Sequence, residues 1–342
     1  MQLPNNAQIL TLSTPFALEQ GGTLTDCQVA YHSFGTLNAA GDNVVWVFHA
    51  LTANSDPTDW WAGVIGAGST IDPARHFIVC ANVLGSFYGS TCPRSICPET
   101  GQPYGLDFPR FTVRDVVALH HQLRQHLGIQ RVKIAIGGSF GGHQAMEFAW
   151  TAPRVVDSLV LLVTSARETA WSIAIHESQR MAMESDPSFY DNTETAGSIG
   201  IQTARAVGLL TYRTIQAYID TQTDPEPVLS GYRAASYVRY QGKKLLQRFH
   251  AHCYWYLAHC LDSHHMGRGR KSIEAALAQL TMPATVIGID SDQLVPSSEQ
   301  RFLAAHLPNG QYHEIASAYG HDGFLIEVDA INAILAAHWA RL

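Results

Sequence analysis

The chain has 342 residues, 46% of them hydrophobic, enough to bury a sizeable core as one large α/β domain or a domain with an insert. The formal net charge is −7 with no basic block, which argues against nucleic acid or an anionic membrane surface as the main partner. No apolar run reaches the roughly 18 residues needed to span a bilayer, and MQLPNNAQIL at the start lacks the features of a secretion signal, so a cytoplasmic protein is expected.

In chain order, Val44–Phe48 and Phe77–Ala81 are short, continuously apolar and rich in β-branched residues. Apolarity without alternation predicts strands buried on both faces, hence a parallel sheet. Thr112–Leu127 reads as a helix, with a threonine start and Gly128 just past its end. Val132–Ile136 and Leu159–Val163 are two further buried strands. From about 167 to 280 the strand signals fade, and Ala170–Met183, Ile199–Leu210 and Gly231–Leu261 read as helical. Thr285–Ile289 and Gln311–Ile315 then resume the strand pattern. The expectation is an α/β core made of residues 1–166 and 281–342, with a helical cap, residues 167–280, inserted after the sixth strand.

The segment Ile134–Phe148, IAIGGSFGGHQAMEF, carries the chemistry. Gly137-Gly138-Ser139-Phe140-Gly141 is G-x-S-x-G between a buried strand and a helix. Glycines at the flanks remove side chains that would collide with the neighbouring strand and helix, so the serine hydroxyl can stand at the tip of a tight turn. A phosphate-binding Walker loop would need a lysine after the glycines, and none follows.

A serine nucleophile needs a base, and the base needs a group to orient it. In the α/β-hydrolase arrangement the chain order is Ser, acid, His. His321, on the glycine-flanked loop Tyr319-Gly320-His321-Asp322-Gly323, suits the base. Asp290 and Asp292 both follow the Thr285–Ile289 strand; Asp292, beyond the strand end, is the freer to turn toward the histidine. Ser139 and Asp292 are 153 positions apart, too far for one strand–helix–strand unit, and the helical insert fills the gap. The oxyanion hole needs two backbone N–H donors. One is expected from Phe140 and the other from Leu51, in the loop His49-Ala50-Leu51-Thr52.

Many separated motifs in order, among them YHSFGTLNAAGDN, HALT, NVLGSFYGST, PYGLDFP, GGSFGGHQAMEFA, TSAR, TARAVG, SDQLVP and GHDGFL, make the chain resemble the homoserine O-acetyltransferases. These are acyltransferases of the α/β-hydrolase fold. The resemblance implies a Ser139, Asp292 and His321 triad, an oxyanion hole from Leu51 and Phe140, and a ping-pong transfer from acetyl-CoA to L-homoserine. It implies that Arg205 binds the acceptor's carboxylate and Asp322 its ammonium. That pairing suits an amino acid, which needs a cation and an anion on opposite sides. No metal or resident cofactor is implied, since acetyl-CoA is a co-substrate, and the cap makes a homodimer plausible. Succinyl-CoA as donor, serine as acceptor, or hydrolysis on the same triad are the alternatives. The chain departs from the family pattern at Cys92, in GSTCP, and at Ala53, after HALT.

HAHCYWYLAHCLDSHH, residues 250–265, invites a zinc reading, but His252 and His259, like Cys253 and Cys260, are seven apart. Cys253, Tyr256, Leu257, Cys260 and Leu261 instead form an apolar helical stripe, expected to pack in a core or a dimer. The six cysteines are expected to be free thiols.

Overall fold

A computed structural model describes residues 3–342. Its main sheet has eight strands: β1 (Gln8–Thr11), β2 (Gln28–Phe34), β3 (Val44–Phe48), β4 (Phe77–Ala81), β5 (Ile134–Gly138), β6 (Leu159–Leu162), β7 (Ala284–Ile289) and β8 (Gly310–Ile315). Their spatial order is β1-β2-β4-β3-β5-β6-β7-β8, parallel from β4 onward, with β1 and β2 antiparallel at one edge. Side chains alternate across the sheet between two cores. Val44, Trp46 and Phe48 pack with Phe140 and Phe148 on one face. Val45 and Val47 pack with Ile331 and Leu335 on the other. That two-sided burial is why these strands read as unbroken apolar runs.

Helix α1 (Val113–His126) starts with a capping box, the Thr112 side chain accepting from the Asp115 N–H and Asp115 reaching back to the Thr112 N–H. Helix α2 (Phe140–Thr151) follows β5 directly. Between β6 and β7 run α3 (Ala170–Glu184), α4 (Ser198–Tyr212), α5 (Ile215–Gln222), α6 (Arg233–Leu246) and α7 (Ala251–Asp262). Helix α4 packs against α3 and α6, and α7 against α3.

The structure corrects three boundaries. The strand expected at 132–136 lies at Ile134–Gly138, because Gly137 and Gly138 are held in the ladder opposite Phe48 and Leu162. The strand expected to reach Val163 stops at Leu162; Val163 has φ 43°, which turns the chain out of the sheet. The helical reading of Gly231–Leu261 divides into α6 and α7. His250, with φ −107° and ψ 143°, leaves the helical region and caps α7 by accepting from the His252 N–H.

Candidate active site

Ser139 sits between β5 and α2 with φ 55° and ψ −124°, a backbone conformation that a non-glycine residue holds only under outside constraint. A Cβ on Gly137 would come within 2.3 Å of the Gly141 backbone, and one on Gly141 within 2.1 Å of the Phe48 carbonyl oxygen. Glycine at both flanks therefore lets α2 begin directly above the strand ends. The Ser139 N–H donates to the Leu162 carbonyl at 2.9 Å, and the Thr164 hydroxyl donates to the Ser139 carbonyl at 3.0 Å.

His321 lies in a single helical turn, Gly320–Asp322, after β8. Its Nδ1 is 2.8 Å from Asp292 Oδ2 and its Nε2 is 2.9 Å from Ser139 Oγ. The carboxylate can only accept, so Nδ1 carries the hydrogen and Nε2 offers its lone pair to the serine hydroxyl. Asp292 Oδ1 accepts from the N–H groups of Leu294 and Val295, each at 2.9 Å, which locks the carboxylate's rotation. Burial opposes a charged His321 ring, but the Asp292 charge and hydrogen bond outweigh it and leave the pKa above the ordinary 6.5. Asp290, the other candidate acid, accepts instead from the Ser317 N–H at 3.1 Å.

Phe140 is the first residue of α2, so its N–H has no partner within the helix. Leu51 is a central residue of a turn closed by the Ala53 N–H on the Ala50 carbonyl at 3.1 Å. Among the described residues neither the Leu51 nor the Phe140 N–H has a hydrogen-bond partner. Leu51, Ser139 and His321 border one cavity of about 660 Å³.

Arg205, on α4, and Asp322 border the same cavity. The Arg205 guanidinium lies 5.5 Å from the Tyr212 ring centre. Asp322 is already engaged, its Oδ2 being 3.3 Å from Arg213 Nε. Burial raises the Asp322 pKa despite the lowering influence of His321, Arg213 and Arg205.

Sequence reasoning missed several groups here. Tyr212 was detectable, since seven residues from Arg205 it shares a face of α4. Arg213 follows the helix end and has no local signature. His143, one helical turn past Ser139, and Glu168 also border the cavity. His143 stacks on His264 with ring centres 3.9 Å apart, and its Nδ1 is 3.6 Å from Glu168 Oε1, beyond hydrogen-bonding reach. Burial holds the His143 ring neutral and raises the Glu168 carboxyl. Of the two departures from the family pattern, Ala53 borders the cavity, while Cys92 is buried in the core, its N–H donating to the Ser95 hydroxyl at 3.0 Å. The stripe of Cys253, Tyr256, Leu257, Cys260 and Leu261 is likewise buried in the core.

Comparison with known proteins gives the family and the fold. Residues 43–328 match the family model described as the alpha/beta hydrolase fold. The homoserine O-acetyltransferase of Cyclobacterium marinum is 42% identical over 328 residues, covering 96% of this chain and 93% of that one. The crystal structure of homoserine O-acetyltransferase from Bacillus anthracis superposes with a TM-score of 0.89 at 25% identity, covering 98% of this chain and 97% of that one. Esterase E22 superposes with a TM-score of 0.88 at 22% identity, over 97% of this chain and 99% of that one, a likeness of fold alone. The chain belongs to the homoserine O-acetyltransferase family, on the α/β-hydrolase fold.

Proposed function

We propose that this chain transfers an acetyl group from acetyl-CoA to the hydroxyl of L-homoserine, as a step of methionine biosynthesis. The observation that carries the reading is one cavity in which a Ser139–His321–Asp292 hydrogen-bond chain meets both Arg205 and Asp322. A triad alone serves an esterase equally well; a cation and an anion beside it suit an acceptor with a carboxylate and an ammonium.

In the first half-reaction His321 Nε2 takes the Ser139 proton as Oγ attacks the thioester carbonyl. The Leu51 and Phe140 N–H groups hold the resulting oxyanion. The tetrahedral species collapses, and CoA leaves as its thiol with the proton from His321. Homoserine then enters with its carboxylate on Arg205 and its ammonium on Asp322. His321 takes the hydroxyl proton, the new ester forms, and the proton returns to Ser139 Oγ. This route asks for no metal or resident cofactor. The helices inserted between β6 and β7 act as a cap that limits water, which would otherwise intercept the acyl-enzyme.

Further features support the remaining parts of the reading. Ile199, Leu210, Ile215, Ile219 and Leu229 are exposed on and around α4 and α5, an apolar surface that suits a homodimer through the cap. Light scattering at micromolar concentration tests it. No helix among the described residues is long and apolar enough to cross a membrane. The six buried cysteine thiols suit the reducing cytoplasm.

The deciding experiment follows CoA release from acetyl-CoA and succinyl-CoA with homoserine, with serine and with no acceptor, in the wild type and in Ser139→Ala. Release from acetyl-CoA that depends on homoserine, and on Ser139, is expected. Release indifferent to any amino acid would make the protein a hydrolase.

A further inference from the structure

Arg248 joins the inserted helices to the loop that carries the Leu51 amide. It lies in the break between α6 and α7 and borders the cavity. Its Nη1 donates to the Thr52 carbonyl at 2.5 Å and to the Tyr88 hydroxyl oxygen at 2.6 Å. Both acceptors are neutral, a backbone carbonyl and a phenol oxygen.

The turn at 50–53 is held from two sides. On the side nearer β3, the Gln144 amide donates to the His49 carbonyl at 3.1 Å. The His49 ring accepts from the Val83 N–H at 3.1 Å through Nε2, so its Nδ1–H donates to the Ala50 carbonyl at 2.8 Å. All of these contacts come from the core domain, from helix α2 and from the loops after β3 and β4. On the far side, the carbonyl of Thr52 is held by Arg248. Leu51 lies between the two anchors. Its N–H direction depends on the dihedral angles of the whole turn, and a hydrogen bond to an oxyanion weakens steeply as its angle opens.

We propose that Arg248 is a positioning residue for the oxyanion hole: its grip on the Thr52 carbonyl, steadied by Tyr88, keeps the Leu51 N–H aimed into the cavity, so that the hole is complete only when the inserted helices are seated. The inference rests on the acyl-serine reading and adds to it a device that no motif announces. Tyr88 has a clear part in it. Its phenol is buried, and burial raises its pKa, so it remains a neutral acceptor.

The test uses Arg248→Met, Arg248→Lys and Tyr88→Phe, each assayed by two routes. One is steady-state transfer from acetyl-CoA to homoserine. The other is the burst from p-nitrophenyl acetate, which passes through the same oxyanion without CoA or an amino acid. Removing an oxyanion donor outright typically costs about 100- to 1,000-fold, and misaiming one should cost less. Arg248→Met is therefore expected to lower kcat and the ester burst rate together, each by about 10- to 100-fold. KM for acetyl-CoA and for homoserine should change little. Arg248→Lys should restore part of the rate, since an ammonium can still reach the Thr52 carbonyl, and Tyr88→Phe should fall between wild type and Arg248→Met. A raised KM for acetyl-CoA with the ester burst intact would make Arg248 a donor-binding residue and overturn the proposal. So would a lowered melting temperature with unchanged kcat per folded molecule. Should Arg248→Met not fold, Tyr88→Phe removes the bond that steadies the same guanidinium, and an unaltered burst in it overturns the proposal too. An ester burst lowered in the variants of a wild type that fails to acetylate homoserine would sink the acyltransferase reading and leave this one standing.

Discussion

Arg213 Nε lies 3.3 Å from Asp322 Oδ2, so the carboxylate assigned to the acceptor's ammonium already has a cation beside it. The pairing is a brake on the Asp322 pKa. Burial pushes that pKa up, and Arg213 is among the groups that pull it back. Without Arg213 the pKa would rise further, and the carboxylate would keep its charge and its attraction for an ammonium only at higher pH.

Arg213→Gln is therefore expected to raise KM for homoserine several-fold at pH 6 and less at pH 8, with the burst of CoA release preserved. Acceptor kinetics measured across that range decide it. A lowered KM at every pH would mean that Arg213 competes with the ammonium rather than keeping Asp322 charged.

Arg205→Ala should spare acyl-enzyme formation and damage acceptor use. Losing a charge-assisted contact to a buried carboxylate costs roughly 2–5 kcal/mol, or about 30-fold to several thousand-fold in kcat/KM for homoserine. Pre-steady-state release of CoA reports the first half-reaction separately. If the burst vanished along with transfer, Arg205 would belong to the donor's path or to the packing of α4.

The acid limb of acylation should report His321. The ring must be neutral at Nε2 to accept the serine proton, and its pKa is held above 6.5 by Asp292 against the pull of burial. The rate of burst formation is expected to rise with pH through a midpoint above 6.5. Asp292→Asn should move that midpoint down while lowering the plateau, by about 10,000-fold in related triads. A wild-type midpoint below 6.5 would contradict this electrostatic balance.

Stability should fall on mild acidification. His49, His120, His143 and His264 are buried, and burial lowers each pKa: to about 4 for His49, about 3 for His120 and His264, and well below 6.5 for His143. The unfolded chain takes up these protons near pH 6.5 and the folded chain does not. Their contribution is complete above pH 6.5 and is lost as pH falls below it, at up to ~1.4 kcal/mol per pH unit for each group. His321, with its raised pKa, acts in the opposite sense, stabilising most at low pH, but it is one group against these four and further histidines, such as His250 and His338, whose pKa burial also lowers. Unfolding free energies from urea titrations at pH 7.5 and 5.5 should differ by several kcal/mol. Equal free energies would show that these rings are charged, or hydrated, in the folded state.

The sequence by itself determined the elements whose signal is local. Val44–Phe48 and Phe77–Ala81 were legible to the residue because burial on both faces leaves an unbroken apolar run. The helix at 113–126 was legible because its cap and its terminal glycine lie within its own segment. Ser139 stood out because the backbone crowding at Gly137 and Gly141 admits no side chain, which leaves a trace in the residue types themselves. The break between α6 and α7 was hidden: α6 stops at Leu246, and His250 caps α7 through a histidine side chain, which carries no local start signal of the kind a serine, threonine or aspartate gives. Contacts between distant segments were decided by the tertiary structure. Arg248 meets Thr52 across 196 positions, and Arg213 meets Asp322 across 109. Each such pairing is a consequence of where the sheet order and the inserted helices put two backbones, and a charged side chain has the same local appearance whether its partner is a carboxylate, a carbonyl or water.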